Sequence, residues 1–157
     1  MQDNRKRVFV SEARHIYRKF ALDERKISGT KIVLAGDDIM RFLRGYNEVI
    51  MLAATLGFEV DRQIVLAQKI SVAAALDLDR TANRAINEVC DNIQAEIAKK
   101  FNITKHRYSC GYGDFPLDIQ PAILNELDAR KLIGLYCNES NLMVPTKSIT
   151  AFLGVKR

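Results

Sequence analysis

The stretch Leu135-Tyr136-Cys137-Asn138-Glu139-Ser140-Asn141-Leu142-Met143-Val144-Pro145-Thr146-Lys147-Ser148-Ile149-Thr150-Ala151-Phe152-Leu153-Gly154-Val155 decides the fold class. Leu135 to Cys137, Leu142 to Val144 and Ile149 to Val155 read as strands, each a run of apolar, aromatic or β-branched residues. Asn138 to Asn141 supplies the first turn and Pro145-Thr146-Lys147 the second. Connections this short leave no room for a crossover helix, so these strands are expected to be antiparallel neighbours. Upstream, Ala82, Ile86, Val89, Ile93 and Ile97 recur at steps of four, three, four and four, which predicts a helix from about Asp79 to Lys100 with one apolar stripe. Helices packed on a largely antiparallel sheet make the class α+β.

The remaining elements follow from shorter signals. Thr30 to Leu34 is a β-branched run closed by Gly36 and predicts a strand. Asp37 is a good N-cap for a helix from Asp38 to Arg44 that buries Ile39, Phe42 and Leu43, with Gly45 just past its end. Glu48 to Ala54, continuously apolar after its first residue, predicts a buried strand. Val60, Ile64, Leu66 and Ala67 mark a second helix. Lys105 to Cys110 predicts a strand entering a glycine-rich turn, and Asp118 a cap for a helix through Leu127 with Pro121 in its first turn. No repeat, low-complexity tract or linker interrupts the chain, so one domain is expected over residues 1–157.

The 157 residues are 48% hydrophobic and 27% charged, the balance of a chain that can bury a core. The longest apolar run, Val49 to Gly57, is nine residues, against about 20 for a membrane span. The basic N-terminus is not followed by an apolar signal region. Cys90, Cys110 and Cys137 are few and scattered, which suits reduced thiols in a cytoplasmic setting. The net charge of +5 is local: residues 1–31 hold nine Lys/Arg and four Asp/Glu, and the remainder fifteen of each. Arg5, Lys6, Arg7, Arg14, Arg18, Lys19, Arg25, Lys26 and Lys31 therefore form a basic N-terminal segment. It is read first as a solvated end, then as a contact for an acidic protein, and last as a contact for nucleic acid, whose binders spread basic charge over a folded face. Neither nucleic acid nor a membrane is expected as a partner.

Familiar catalytic patterns are missing. Gly111-Tyr112-Gly113 is not continued by a third glycine at Pro116, so it is no dinucleotide fingerprint. His106 and Cys110 alone do not make a metal site, and Cys110 as a nucleophile would have only His106 as a nearby base. The segment Arg107-Tyr108-Ser109-Cys110-Gly111-Tyr112-Gly113-Asp114-Phe115-Pro116 does stand out. It joins a fixed cation, a backbone that a ligand can approach closely, and two phenols. Arginine holds a carboxylate through two parallel hydrogen bonds, so the segment suits a small zwitterion carrying an aromatic base. The alternative is a tight loop whose arginine pairs with a surface acid.

This segment and its surroundings resemble the AdoMet-binding activation domain of cobalamin-dependent methionine synthase. The family's Arg-x-x-x-Gly-Tyr stands here as Arg107 to Tyr112. Leu127-Asp128-Ala129, Gly134, Glu139-Ser140, Met143-Val144-Pro145 and Ser148 follow in the family's order. Glu48 to Arg62 is similar to its stand-alone members, and the resemblance spans about residues 11 to 155. It implies a stand-alone protein that binds S-adenosylmethionine and presents its methyl group to cobalamin held by a partner methyltransferase. One electron from a flavodoxin-like donor and one methyl group would return inactive cob(II)alamin to methylcobalamin. By the same resemblance, Arg107 holds the AdoMet carboxylate, the main chain of Ser109, Cys110 and Gly111 meets the adenosine, and Tyr112 lies at the methyl-transfer face. The helix acid of the family falls at Asn87 or Glu88. The tyrosine that the family places in its last strand is absent from Ala151-Phe152-Leu153. An early acid of the family has no clear counterpart. The contrasting expectation is a non-enzymatic binding or regulatory protein that kept the fold and lost AdoMet.

Overall fold

The computed structural model describes residues 13–157. Its strands are β1 (Arg14–Asp23), β2 (Lys26–Ile27), β3 (Glu48–Thr55), β4 (Asn102–Ile103), β5 (Tyr136–Cys137), β6 (Met143–Val144) and β7 (Ser148–Lys156). Five of them form an antiparallel sheet in the order β2-β1-β3-β7-β4, while β5 and β6 form a separate antiparallel ribbon. The helices are α1 (Asp37–Phe42), α2 (Phe58–Gln68), α3 (Val72–Ala98), α4 (Gln120–Glu126) and α5 (Ala129–Ile133). The α+β class expected from the sequence is therefore the one observed.

The central strand explains its own composition. All eight residues of β3 are buried because helices cover both faces of the sheet. Val49, Met51 and Ala53 join one core with Ile39 of α1, Ile123 and Leu124 of α4 and Ile133 of α5. Ile50, Leu52 and Ala54 join a second core with Val60 of α2 and the stripe of α3. Alternation along a strand sends successive side chains to opposite faces, and here neither face is wet, so no polar residue marks a period of two.

Helix α3 begins earlier than the periodicity predicts. Ser71 caps it, its Oγ accepting from the Ala74 N–H at 3.0 Å, and the first turns carry few buried side chains to betray them. The buried stripe is Ala75, Ala82, Ile86, Cys90, Ile93 and Ile97. Val89 lies at its edge, half-buried, and Cys90 takes the inner place.

Several expectations are corrected. The N-terminal residues Arg14, Arg18 and Lys19 are not a loose end: they lie on β1, which pairs with β3 from Arg14↔Thr55 to Ala21↔Glu48. Two of these side chains lie along the sheet, Arg18 stacking on Phe20 and Lys19 reaching the Glu48 carboxylate at 2.9 Å. Arg5, Lys6 and Arg7 fall outside the described residues. Thr30 to Leu34 is a turn. The Thr30 hydroxyl donates to the Ile27 C=O at 2.8 Å and accepts from the Ile32 N–H at 3.0 Å, so local bonds hold the first residues of this stretch. Only the single antiparallel bridge Lys26–Val33 remains of the expected strand, with the Ile27 N–H donating to the Ile32 C=O at 3.1 Å and the Leu34 N–H to the Arg25 C=O at 2.7 Å. Lys105 to Cys110 is not a regular strand; its main chain pairs with the sheet at the single Tyr108–Phe152 bridge. Asp118 lies in a short 3-10 turn, Leu117–Ile119, that leads into α4, and α5 follows where the sequence reading placed nothing. The three C-terminal strands are not one meander either. The ribbon pairs as expected, but Pro145 to Lys147 carries the chain from β6 to β7 in the other sheet.

Candidate functional site

Where α3 passes the segment that follows β4, an open cleft of about 1240 Å3 forms. One wall is the polar face of α3, with Asn87, Asp91 and Gln94. The opposite wall is the ribbon, with Asn138, Leu142, Met143 and Val144. Between them run Arg107 to Cys110, Tyr112, and Ser148 to Thr150 at the start of β7.

Arg107 is fixed by three oxygens of α3. Its Nη1 donates to Asp91 Oδ1 at 2.7 Å and Gln94 Oε1 at 3.1 Å, and its Nη2 to Asn87 Oδ1 at 3.3 Å. Residues 87, 91 and 94 recur at helical spacing, so they share one face beside the buried stripe. The surface acid that the sequence left open as a partner for Arg107 is thus Asp91. Glu88 is exposed and is not among the cleft residues, whereas Asn87 is. One residue along a helix turns the side chain by about 100°, which takes Glu88 off this face.

The glycine loop is held tightly. Tyr108 exchanges backbone hydrogen bonds with Phe152, N–H to C=O at 3.0 Å and the reverse at 2.7 Å. The Gly111 N–H donates to the Phe115 C=O at 2.8 Å, so this donor is committed within the loop. Ser109 and Cys110, both lining the cleft, lie between these ties. The Ser109 hydroxyl donates to the Thr150 C=O at 2.6 Å. Gly111 has φ of 88° and Gly113 of 55°, and they flank Tyr112, which is 68% exposed at the cleft mouth. A side chain at Gly113 would collide with the Asp38 carboxylate and come within 2.8 Å of the Tyr108 hydroxyl.

The floor is a buried polar cluster that the sequence did not signal. Gln120, 4% exposed, accepts from the Thr150 hydroxyl at 3.1 Å and donates to the Asn141 C=O at 2.9 Å. It thereby joins the ribbon to β7. Cys110 Sγ lies 3.5 Å from Gln120 Oε1, and burial pushes the Cys110 thiol up. Behind Asp91, burial pushes the Cys90 thiol up to about 11. Neither thiol is prepared as a nucleophile. The positions matching the family's strand tyrosine, Ala151-Phe152-Leu153, are fully buried and contribute nothing to the cleft.

Among the described residues, no group of three or more His, Cys, Asp or Glu could hold a metal ion, and no helix is long and apolar enough to cross a membrane. What the cleft offers is recognition: a fixed cation held by one carboxylate and two amide oxygens, a largely apolar ribbon wall and an exposed phenol.

The chain matches no protein-family model, and comparison with curated proteins gives no match. Among solved structures, a crystal structure of the MetH reactivation domain bound to AdoHcy superposes with a TM-score of 0.67 at 16% identity. The superposition covers 90% of this chain, which spans 58% of the length of the matched one. At that identity the likeness is one of fold: this chain has the α+β architecture of the MetH reactivation domain.

Proposed function

We propose that the chain is a free-standing reactivation protein, a single activation-like domain serving a cobalamin-dependent methionine synthase or a related corrinoid methyltransferase. The observation that carries this reading is Arg107, the fixed cation of a large open cleft, in a fold shared with a domain crystallised with AdoHcy. AdoMet binds in the cleft with its carboxylate toward Arg107, its adenosine along Ser109, Cys110 and the ribbon wall, and its sulfonium toward Tyr112. Cobalamin is brought by the partner and supplies the cobalt that accepts the methyl group. A flavodoxin-like donor supplies one electron. The methyl carbon leaves sulfur, the bonding electron pair stays on sulfur, and S-adenosylhomocysteine remains. The protein's part is to bind and orient the donor, since a held geometry replaces a bimolecular encounter.

The test is to mix the protein with AdoMet, a flavodoxin-like donor and a methyltransferase in its cob(II) state. Methylcobalamin absorbance should appear only with all components present. Equal recovery without this protein sinks the reading. A second reading, a binding protein that kept the fold and lost AdoMet, draws on the buried Ala151-Phe152-Leu153 and on an Arg107 already paired with Asp91. The absence of any heat on titration with AdoMet would favour it.

A further inference from the structure

Of the three oxygens around Arg107, only that of Asp91 carries charge. The two amides are held oxygen-first because their NH2 groups are already used. Gln94 Nε2 donates to the Lys105 C=O at 2.9 Å, and Asn87 Nδ2 to the Asn83 C=O at 2.8 Å. The ion pair is also lopsided. The Arg107 side chain is 18% exposed and that of Asp91 is 69% exposed. The cation belongs to the wall, while the anion stands at the rim, where a ligand can reach it without unfolding anything.

We infer that Asp91 is a specificity-determining residue that restricts the cleft to ligands carrying a free α-amino-acid head, with both charges present. The inference rests on the reading of the cleft as an adenosyl-amino-acid site, and it adds the rule by which that site chooses.

The argument is one of charge accounting at close range. With Asp91 in place, the Arg107 site is locally neutral. A ligand bringing only a carboxylate gains Arg107 but sits beside the Asp91 carboxylate, and like charges at such distances repel. A ligand bringing only an ammonium gains Asp91 but meets the guanidinium. A zwitterion places its carboxylate on Arg107 and its ammonium on Asp91, so signs alternate and no charge is left unpaired. Rejection of the wrong ligand then comes from a repulsive element already built into the site.

The test is calorimetric titration of the full chain and of Asp91→Asn with two ligands. The first is S-adenosylhomocysteine, which lacks a sulfonium, so its only charges are those of the head group. The second is its deaminated analogue, with hydrogen in place of the amino group and the carboxylate kept. The parent should prefer the zwitterion by roughly tenfold to a hundredfold, the scale of one charge-assisted hydrogen bond. Asp91→Asn keeps the shape and removes the charge, and should abolish that preference. A ratio of two affinities within one variant does not depend on how much of that variant is folded. If Asp91→Asn keeps the parent's ratio, or if the parent binds both ligands equally, the inference is overturned while the AdoMet reading stands. If the parent binds neither ligand, that reading falls and the inference with it.

Discussion

Asp114 and Asp38 hold each other's main chain across 76 residues of sequence. Asp114 Oδ1 accepts from the Asp38 N–H at 2.9 Å, and Asp38 Oδ2 accepts from the Asp114 N–H at 3.0 Å. Asp114 Oδ2 also accepts from the Asp37 N–H at 2.7 Å. The first amides of α1 are thus capped from outside the helix, by the residue that closes the glycine loop. The same bonds that start α1 therefore fix the loop presenting Tyr112.

This arrangement sets a pH dependence. The N–H groups of Asp37 and Asp38 hold the Asp114 carboxyl below the usual aspartate range. A group whose folded pKa is lowered stabilises the fold fully above its unfolded value and loses that contribution as pH falls through the folded one. Asp114→Asn should therefore lower the urea midpoint at pH 7, and the gap to the parent should narrow below about pH 4. A gap unchanged between pH 7 and pH 3 would show that the charge of Asp114 is not what holds the loop.

Gly113 should be the least replaceable glycine of the loop. Alanine there faces the Asp38 carboxylate and the Tyr108 hydroxyl as well as a positive φ, whereas Gly45, also at positive φ, has nothing within 4 Å of an added Cβ. Gly45→Ala should cost about 1–2 kcal/mol from backbone strain alone, and Gly113→Ala clearly more. Denaturant unfolding of the two variants checks the order.

Arg107→Ala should weaken AdoMet binding by roughly 1.5–3 kcal/mol, the worth of a charge-assisted hydrogen bond. The fold should tolerate it, because the partner it abandons, Asp91, is exposed to water. Calorimetric affinities for parent and variant, beside their unfolding midpoints, separate the two effects; equal affinities would remove Arg107 from the ligand site.

The stripe of α3 gives a test of the core. Ile93 is 6% exposed and packs between α3 and the sheet, while Leu76, on the same helix, is 51% exposed. Ile93→Ala should cost about 2–5 kcal/mol of stability and Leu76→Ala within about half a kcal/mol. Similar costs at both positions would mean the stripe is not the helix's packing face.

These residues also show what the sequence could and could not disclose. The Ile86, Ile93 and Ile97 spacing and the unbroken apolar run of β3 were legible because burial writes a period, or the lack of one, into the residues themselves. β1 was not, because Arg18 and Lys19 are exposed charged residues on a paired strand, and what they pair with, Phe20 and Glu48, is not visible from their own types. Asp37 reads as the cap of α1 because local sequence is where caps usually lie; the side chain that accepts from the first amides is that of the distant Asp114. Pro145 to Lys147 looked like a hairpin turn because its length says nothing of which sheet receives the next strand. In the site, Arg107 and the glycines around Tyr112 announced themselves. Asn87, Asp91 and Gln94 were readable in principle as a polar face beside the stripe. Gln120 gave no signal, since a buried glutamine is recognisable only by what surrounds it.

The exposure of Tyr112 leads to the last prediction. Its ring stands 68% exposed at the mouth of the cleft, while the loop beneath it is tied down by the Gly111–Phe115 and Tyr108–Tyr112 hydrogen bonds. A large aromatic held out on a rigid loop buries little in the free protein, so removing it should cost little stability. If the methyl group is handed over at this mouth, Tyr112 sits where the partner's cofactor must arrive, and its loss should act on transfer more than on donor binding. Tyr112→Ala should keep the parent's unfolding midpoint and bind AdoMet within a few-fold of the parent, yet form methylcobalamin on the partner at least about tenfold more slowly, the effect of removing a positioning contact worth about 1.4 kcal/mol at the transition state. Calorimetry supplies the affinity, and the absorbance change of the partner at saturating AdoMet supplies the rate. A variant that transfers at the parent's rate would place the exchange elsewhere on the cleft.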